Sequence, residues 1–134
     1  MRVFLDTNVL VSAFATRGVC ADVLRVVLVE HTLVTGEVVL RELQRVLPKR
    51  IGLPPRAVEE IEEFLREHEV AAKPATRASF PKRDPDYQWV VASAIDSRVD
   101  VLVTGDRDLL EIAAGAPIKI VDPRGFWDLV RKNE

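Results

Sequence analysis

Short, wholly apolar runs alternate along this chain with longer segments whose apolar positions recur every three or four residues. The runs predict strands at residues 2–5, 32–35, 101–104 and 118–121, with a short edge strand at 70–72. A strand covered on both faces meets no water, so it reads as an unbroken apolar run. The periodic segments predict helices at residues 8–15, 20–30, 37–47, 56–69, from 86 or 87 through 95, 108–114 and 125–132. The clearest stripe is Val58, Ile61, Phe64 and Leu65; such spacing places one apolar face on a core. The segment 20–30 is apolar nearly all round, as a buried helix is. Residues 48–55, rich in Pro, Gly and basic side chains, predict a break, and Pro74, Pro81 and Pro85 punctuate a long loop.

Strands alternating with helices predict an α/β fold: a three-layer α/β/α sandwich with a central parallel sheet of four to five strands. The 134 residues are expected to form a single domain, with no internal repeat or linker to divide them. Cys20 is the one cysteine, so no disulfide forms within the chain. No leader-like start and no run near the roughly 20 apolar residues of a spanning helix is seen, so a cytoplasmic location is expected. The formal net charge is -2. Any nucleic acid must therefore be met by a local basic patch rather than by bulk charge.

The placement of acids changes the picture most. Asp6 ends the first apolar run, and Asp106 follows the run Val101-Leu102-Val103-Thr104 after Gly105. Open α/β sheets bind ligands beyond the carboxyl ends of their strands. Glu42, Asp84, Asp86 and Asp108 complete the candidate set. Two unit charges 4 Å apart repel by roughly 4 kcal/mol at an effective dielectric near 20, so gathered carboxylates take up protons or a cation. An oxygen-only donor set selects a hard ion, Mg²⁺ or Mn²⁺. Such an ion activates water and offsets phosphate charge, which suits phosphodiester hydrolysis. Taken singly, each acid also has a plain role: Asp6 and Asp86 as helix caps, Asp84-Pro85 as a turn, Glu42 as a solvated helix residue.

Several segments together carry a family resemblance. They are residues 3–13 (VFLDTNVLVSA), Leu33-Val34-Thr35 with Glu42 to Leu47, Arg83-Asp84-Pro85-Asp86 before a helix with Ala92 and Ala94, and residues 103–110 (VTGDRDLL). In these the chain resembles the PIN domains, and among them the VapC-like toxin ribonucleases of prokaryotic toxin–antitoxin systems. The resemblance implies a metal-dependent endoribonuclease that hydrolyses single-stranded RNA with Mg²⁺ or Mn²⁺. It implies metal-binding roles for Asp6, Glu42, Asp84 and Asp106, catalytic roles for these and Asp86, and supporting hydroxyls on Thr7 and Thr104. It also implies a cognate antitoxin protein and a homodimer, the latter agreeing with surplus apolar residues Val26 and Val29.

One departure stands out. Related sequences continue Arg-Asp-Pro-x-Asp, whereas this chain carries Tyr87 and then Gln88. The third acid is then Asp84 or Asp86, or the site is one carboxylate short, and fewer carboxylates bind an ion more weakly. An alternative reading follows: a catalytically weak or inactive PIN-like RNA-binding module. A receiver-like phosphoacceptor domain is the more distant rival, since it wants two adjacent acids and Asp6 is followed by Thr7. For RNA, the acid-free stretch with Lys73, Arg77, Lys82 and Arg83 supplies candidate phosphate contacts. Arg45, Lys49, Arg50 and Arg56 form a second basic stretch, and Phe80 and Trp89 are candidate stacking platforms.

Overall fold

A computed structural model describes residues 1–81 and 84–132. Five strands form the sheet: β1 (Arg2–Leu5), β2 (Thr32–Gly36), β3 (Glu69–Ala71), β4 (Val101–Val103) and β5 (Ile120–Val121). All pair in parallel in the order β3-β2-β1-β4-β5. Among the described residues, seven α-helices flank it: α1 (Thr7–Ala15), α2 (Val19–Glu30), α3 (Glu37–Ile51), α4 (Pro55–Arg66), α5 (Pro85–Asp96), α6 (Arg107–Glu111) and α7 (Pro123–Lys132). The result is the three-layer α/β/α sandwich expected from the alternation. Val3, Phe4, Leu5, Val101, Leu102 and Val103 are all fully buried, which is why these runs carry no polar residue.

The strand order fixes where a site can form. The chain steps outward from β1 to β2 and β3, then returns through α5 to lay β4 on the other side of β1. The direction of winding therefore reverses between β1 and β4, and connections leave in opposite directions there to open a crevice. Leu5 is in register with Val103, so the next residues, Asp6 and Thr104, emerge side by side at that crevice.

Beyond shifts of a few residues at element ends, two differences from the sequence expectation matter most. The helix expected to stop at Leu47 runs through Pro48 to Ile51. Proline costs a helix one N–H bond, but Leu47 is fully buried and Ile51 packs on the core, so tertiary contact holds the last turn. The stop is set instead by Gly52, whose left-handed backbone (φ 65°) caps the helix through its N–H to the Leu47 carbonyl. The extra turn carries Lys49 and Arg50 with it. The second difference lies in α2. It is not enclosed all round: Val23, Leu24 and Val27 are buried, Val26 is half-buried, and Val29 is 76% exposed.

Gly36, at the end of β2, sits against α5. A Cβ there would collide with Ser93 Oγ, so the close approach of strand and helix requires glycine. That contact brings α5, with Tyr87 on its first turn, down toward the crevice.

Candidate active site

Asp6 is the N-cap of α1; its Oδ1 accepts the Thr7 N–H at 2.8 Å. Its Oδ2 accepts the Thr104 hydroxyl at 2.7 Å, a bond across the crevice between the ends of β1 and β4. Only 2% of Asp6 is exposed. Burial disfavours the carboxylate charge and raises the Asp6 pKa from its ordinary value to about 6, although the Thr104 hydroxyl and Thr7 N–H work against that rise. Nearby Glu42 adds to it by like-charge repulsion.

Around Asp6 lies a cavity of about 380 Å³, bordered by Glu42 from α3, Asp84 and Asp86 from the start of α5, and Asp106 after β4. Five of the six candidate acids thus face one space, although they come from four parts of the chain. Asp108 does not; it borders a neighbouring, more apolar cavity with Phe80, Leu109 and Ile112. Asp84 caps α5, accepting the N–H groups of Asp86 and Tyr87 through Oδ1. Asp106 caps α6, accepting the Leu109 N–H at 2.9 Å. Each acid's capping role explains its local placement, and among the described residues both leave Oδ2 without a capping bond. Glu42, half-buried, has its pKa raised by burial, with Arg45 pulling the other way.

Four further residues shape this space: Tyr87 and Arg50, which the sequence singled out, and Asn8 and Arg107, for which it offered no site role. Asn8 bridges the two strand-end loops: its Oδ1 accepts the Gly105 N–H at 3.0 Å. Its Nδ2 makes long bonds, both 3.4 Å, to Asp6 Oδ2 and to the Tyr87 hydroxyl. Tyr87 places a phenol in the cavity where related sequences carry an acid. Burial, together with the charges of Asp6 and Asp106, pushes its pKa upward, so the hydroxyl stays neutral and protonated. Arg107 borders the cavity too, as does Arg50, delivered by the extra turn of α3. The triplet Asp6-Thr7-Asn8 held the one sequence signal for Asn8; nothing in the chain pattern pointed to Arg107.

The donor chemistry fits a hard dication. Every candidate donor is oxygen; among the described residues, the most buried carboxylate has no cationic side chain bonded to it and the buried Thr7 hydroxyl has no hydrogen-bond partner. That hydroxyl lies near enough to Glu42 to favour its charge without bonding to it. The acids nevertheless line the cavity without converging: among the described residues, no three acidic, His or Cys side chains are grouped closely enough to hold one ion.

The expected RNA contacts are dispersed. Lys73 lies against Trp89, its Nζ 4.8 Å from the ring centroid. Arg77 borders a different depression, which Thr76, Gln88 and Trp89 also line. Lys82 and Arg83 lie outside the described residues.

Residues 2–108 match the family model of the PIN domain. The chain belongs to the PIN domain family. Solved structures resemble this PIN domain over nearly its whole length. VapBC2 from Rickettsia felis, bound to a promoter DNA fragment, is 19% identical with a TM-score of 0.66, covering 91% of this chain and 98% of that one. VapBC-1 from nontypeable Haemophilus influenzae is 16% identical with a TM-score of 0.64, covering 92% and 99%. A domain of a functionally unknown protein from Methanocaldococcus jannaschii DSM 2661 is 19% identical with a TM-score of 0.57, covering 89% and 88%. At these identities the likeness is one of fold. No curated protein matches the chain. Within the PIN domain match fall all five acids of the cavity and Tyr87.

Proposed function

We propose that this PIN domain, taken as one unit over residues 1–134, is a Mg²⁺- or Mn²⁺-dependent endoribonuclease acting on single-stranded RNA. The observation that supports the reading is that Asp6, Glu42, Asp84, Asp86 and Asp106 line one cavity at the β1–β4 crevice. Asp6, Glu42, Asp84 and Asp106 are the proposed ligands, with Thr7 and Thr104 as supporting hydroxyls. When bound, the ion would supply an acidified water and offset the charge of the phosphodiester. Thr104 and the Thr7 N–H hold the Asp6 carboxylate in one orientation. Asp86, exposed at the cavity edge, is the proposed acceptor of the proton from the attacking water. Arg50 and Arg107 offer cations to the phosphate.

The partners follow the relatives. Two of the solved structures are of VapBC proteins, and we propose an antitoxin for this chain, with toxicity as its role. Val29, exposed on α2, supports a homodimer through that helix. Among the described residues no helix is long and apolar enough to cross a membrane, and a cytoplasmic location is proposed.

Tyr87 and the wide spacing of the acids favour a second reading, an RNA-binding PIN domain with little or no catalysis. Cleavage of single-stranded RNA in Mn²⁺ separates the two. Activity that disappears in Asp6→Asn supports the nuclease; RNA binding without cleavage, or cleavage unchanged in Asp6→Asn, points to the binding module or to contaminating ribonuclease.

A further inference from the structure

Beside the acidic cavity, and sharing Glu42, Asp86 and Val90 with it, lies a second cavity of about 380 Å³ between α3 and α5. Its cations are Arg41, Arg45 and Lys73. Arg41 and Arg45 stand one turn apart on the exposed side of α3. Glu37, the one acid here not shared with the first cavity, has its charge met from outside: Arg66 donates to it twice, at 2.6 and 2.9 Å. Arg45 is close enough to favour the charge of Glu42, so the basic groove begins where the acidic cavity ends. Trp89 forms part of the wall, half-buried, with the Lys73 ammonium over its ring. A cation already on the face of an indole marks that face as reachable from solvent.

We propose that this groove is a binding subsite for single-stranded RNA, holding the phosphates flanking the cleavage point on Arg41 and Arg45 while one base stacks on Trp89. The proposal rests on the nuclease reading for the direction of the strand: at the edge of the acidic cavity the groove sets Arg41, Arg45 and Lys73 against Glu42 and Asp86, which the two spaces share, while Glu37 is paired by Arg66. Positive grooves with an aromatic platform bind single strands without reading their sequence. Lys73 gives up the indole face to the base and turns to the neighbouring phosphate, so the site exchanges one cation–π contact for a stack and an ion pair. Of the two basic stretches expected from sequence to meet RNA, this assigns Lys73 from one and Arg45 from the other, and it adds Arg41.

The test uses the full chain in EDTA, where binding is read apart from cleavage. A short fluorescein-labelled single-stranded oligoribonucleotide is titrated and its anisotropy followed across a range of salt. Arg41→Glu with Arg45→Glu is expected to weaken binding at least about tenfold and to reduce the salt slope by about one per arginine removed. Trp89→Leu is expected to weaken it about tenfold with an unchanged slope, and Trp89→Phe to retain most affinity. Arg41 and Arg45 are exposed, so the helical circular dichroism of that variant should match wild type. In a Trp127→Phe background, RNA should quench the remaining Trp89 fluorescence. Wild-type binding that is equal in all these variants overturns the groove and leaves the nuclease reading standing. No binding by the wild type overturns both. If RNA affinity is unchanged while that for a glutamate-rich peptide falls, the groove belongs to a protein partner and the RNA assignment is overturned.

Discussion

The Thr104 hydroxyl donates to Asp6 Oδ2 at 2.7 Å, and both residues are buried. Thr104 Oγ1 also accepts the Asp106 N–H at 3.1 Å, so one hydroxyl sets the position of two candidate ligands. Thr104→Val keeps the shape and removes both bonds. It should lower RNA cleavage in Mn²⁺ at least about tenfold and cost about 1–3 kcal/mol in urea unfolding, the usual penalty for stranding buried polar groups. Thr104→Ser, which keeps the hydroxyl, should retain most of both.

Burial makes the Asp6 charge a liability to the folded chain without metal. With a folded pKa of about 6 against roughly 3.9 for an unfolded aspartate, the native state holds the proton more tightly. Its stabilising contribution is complete below about pH 4 and is lost as pH rises through about 6, a fall of about 3 kcal/mol. Asp6→Asn in EDTA should flatten this fall and be more stable than wild type at pH 8. Mn²⁺ should raise the wild-type melting temperature at pH 8 and leave that of Asp6→Asn almost unmoved. Denaturation at several pH values, with and without Mn²⁺, checks both.

Tyr87 gives a gain-of-function prediction. Its hydroxyl lies in the field of Asp6 and Asp106, where a carboxylate would add charge to the donor set. Tyr87→Asp should tighten Mn²⁺ binding about tenfold or more by calorimetry and lower stability in EDTA. Asp84→Asn should weaken Mn²⁺ binding more than Asp86→Asn, because Asp84 is half-buried and Asp86 exposed. An Asp84→Asn affinity equal to that of the wild type would remove Asp84 from the ligand set.

Gly36 predicts a purely structural effect. Gly36→Ala should destabilise by about 1–3 kcal/mol through overpacking against Ser93. The buried Ser93 hydroxyl has no hydrogen-bond partner, so Ser93→Ala removes the clashing atom without stranding another group. Double-mutant unfolding should show the pair less destabilised than the sum of the singles.

Much of the fold was legible because burial on both faces writes itself as uninterrupted apolar runs. Residues 2–5 and 101–103 appeared as strands for that reason, and their terminal acids followed from the next residue in the chain. The length of α3 was not legible. Pro48 is a breaker in any local reading, and only the packing of Leu47 and Ile51 overrides it. That one turn decides whether Arg50 reaches the acidic cavity. The basic residues show the same division: Lys73 and Arg77 are four apart in sequence, yet they border two different cavities that both include Trp89.

The chain by itself determined which segments are buried, that they alternate as strand and helix, and that acids stand at the strand ends, because hydrophobicity and capping act over a few residues. The tertiary structure alone decided that β4 pairs beside β1, that Asn8 ties their loops, and that Tyr87 stands between acids. It also decided that Arg41 and Arg45 open a groove beside them. Those relationships join residues tens of positions apart, and parallel pairing with close packing is what sets distance between groups that share no local sequence.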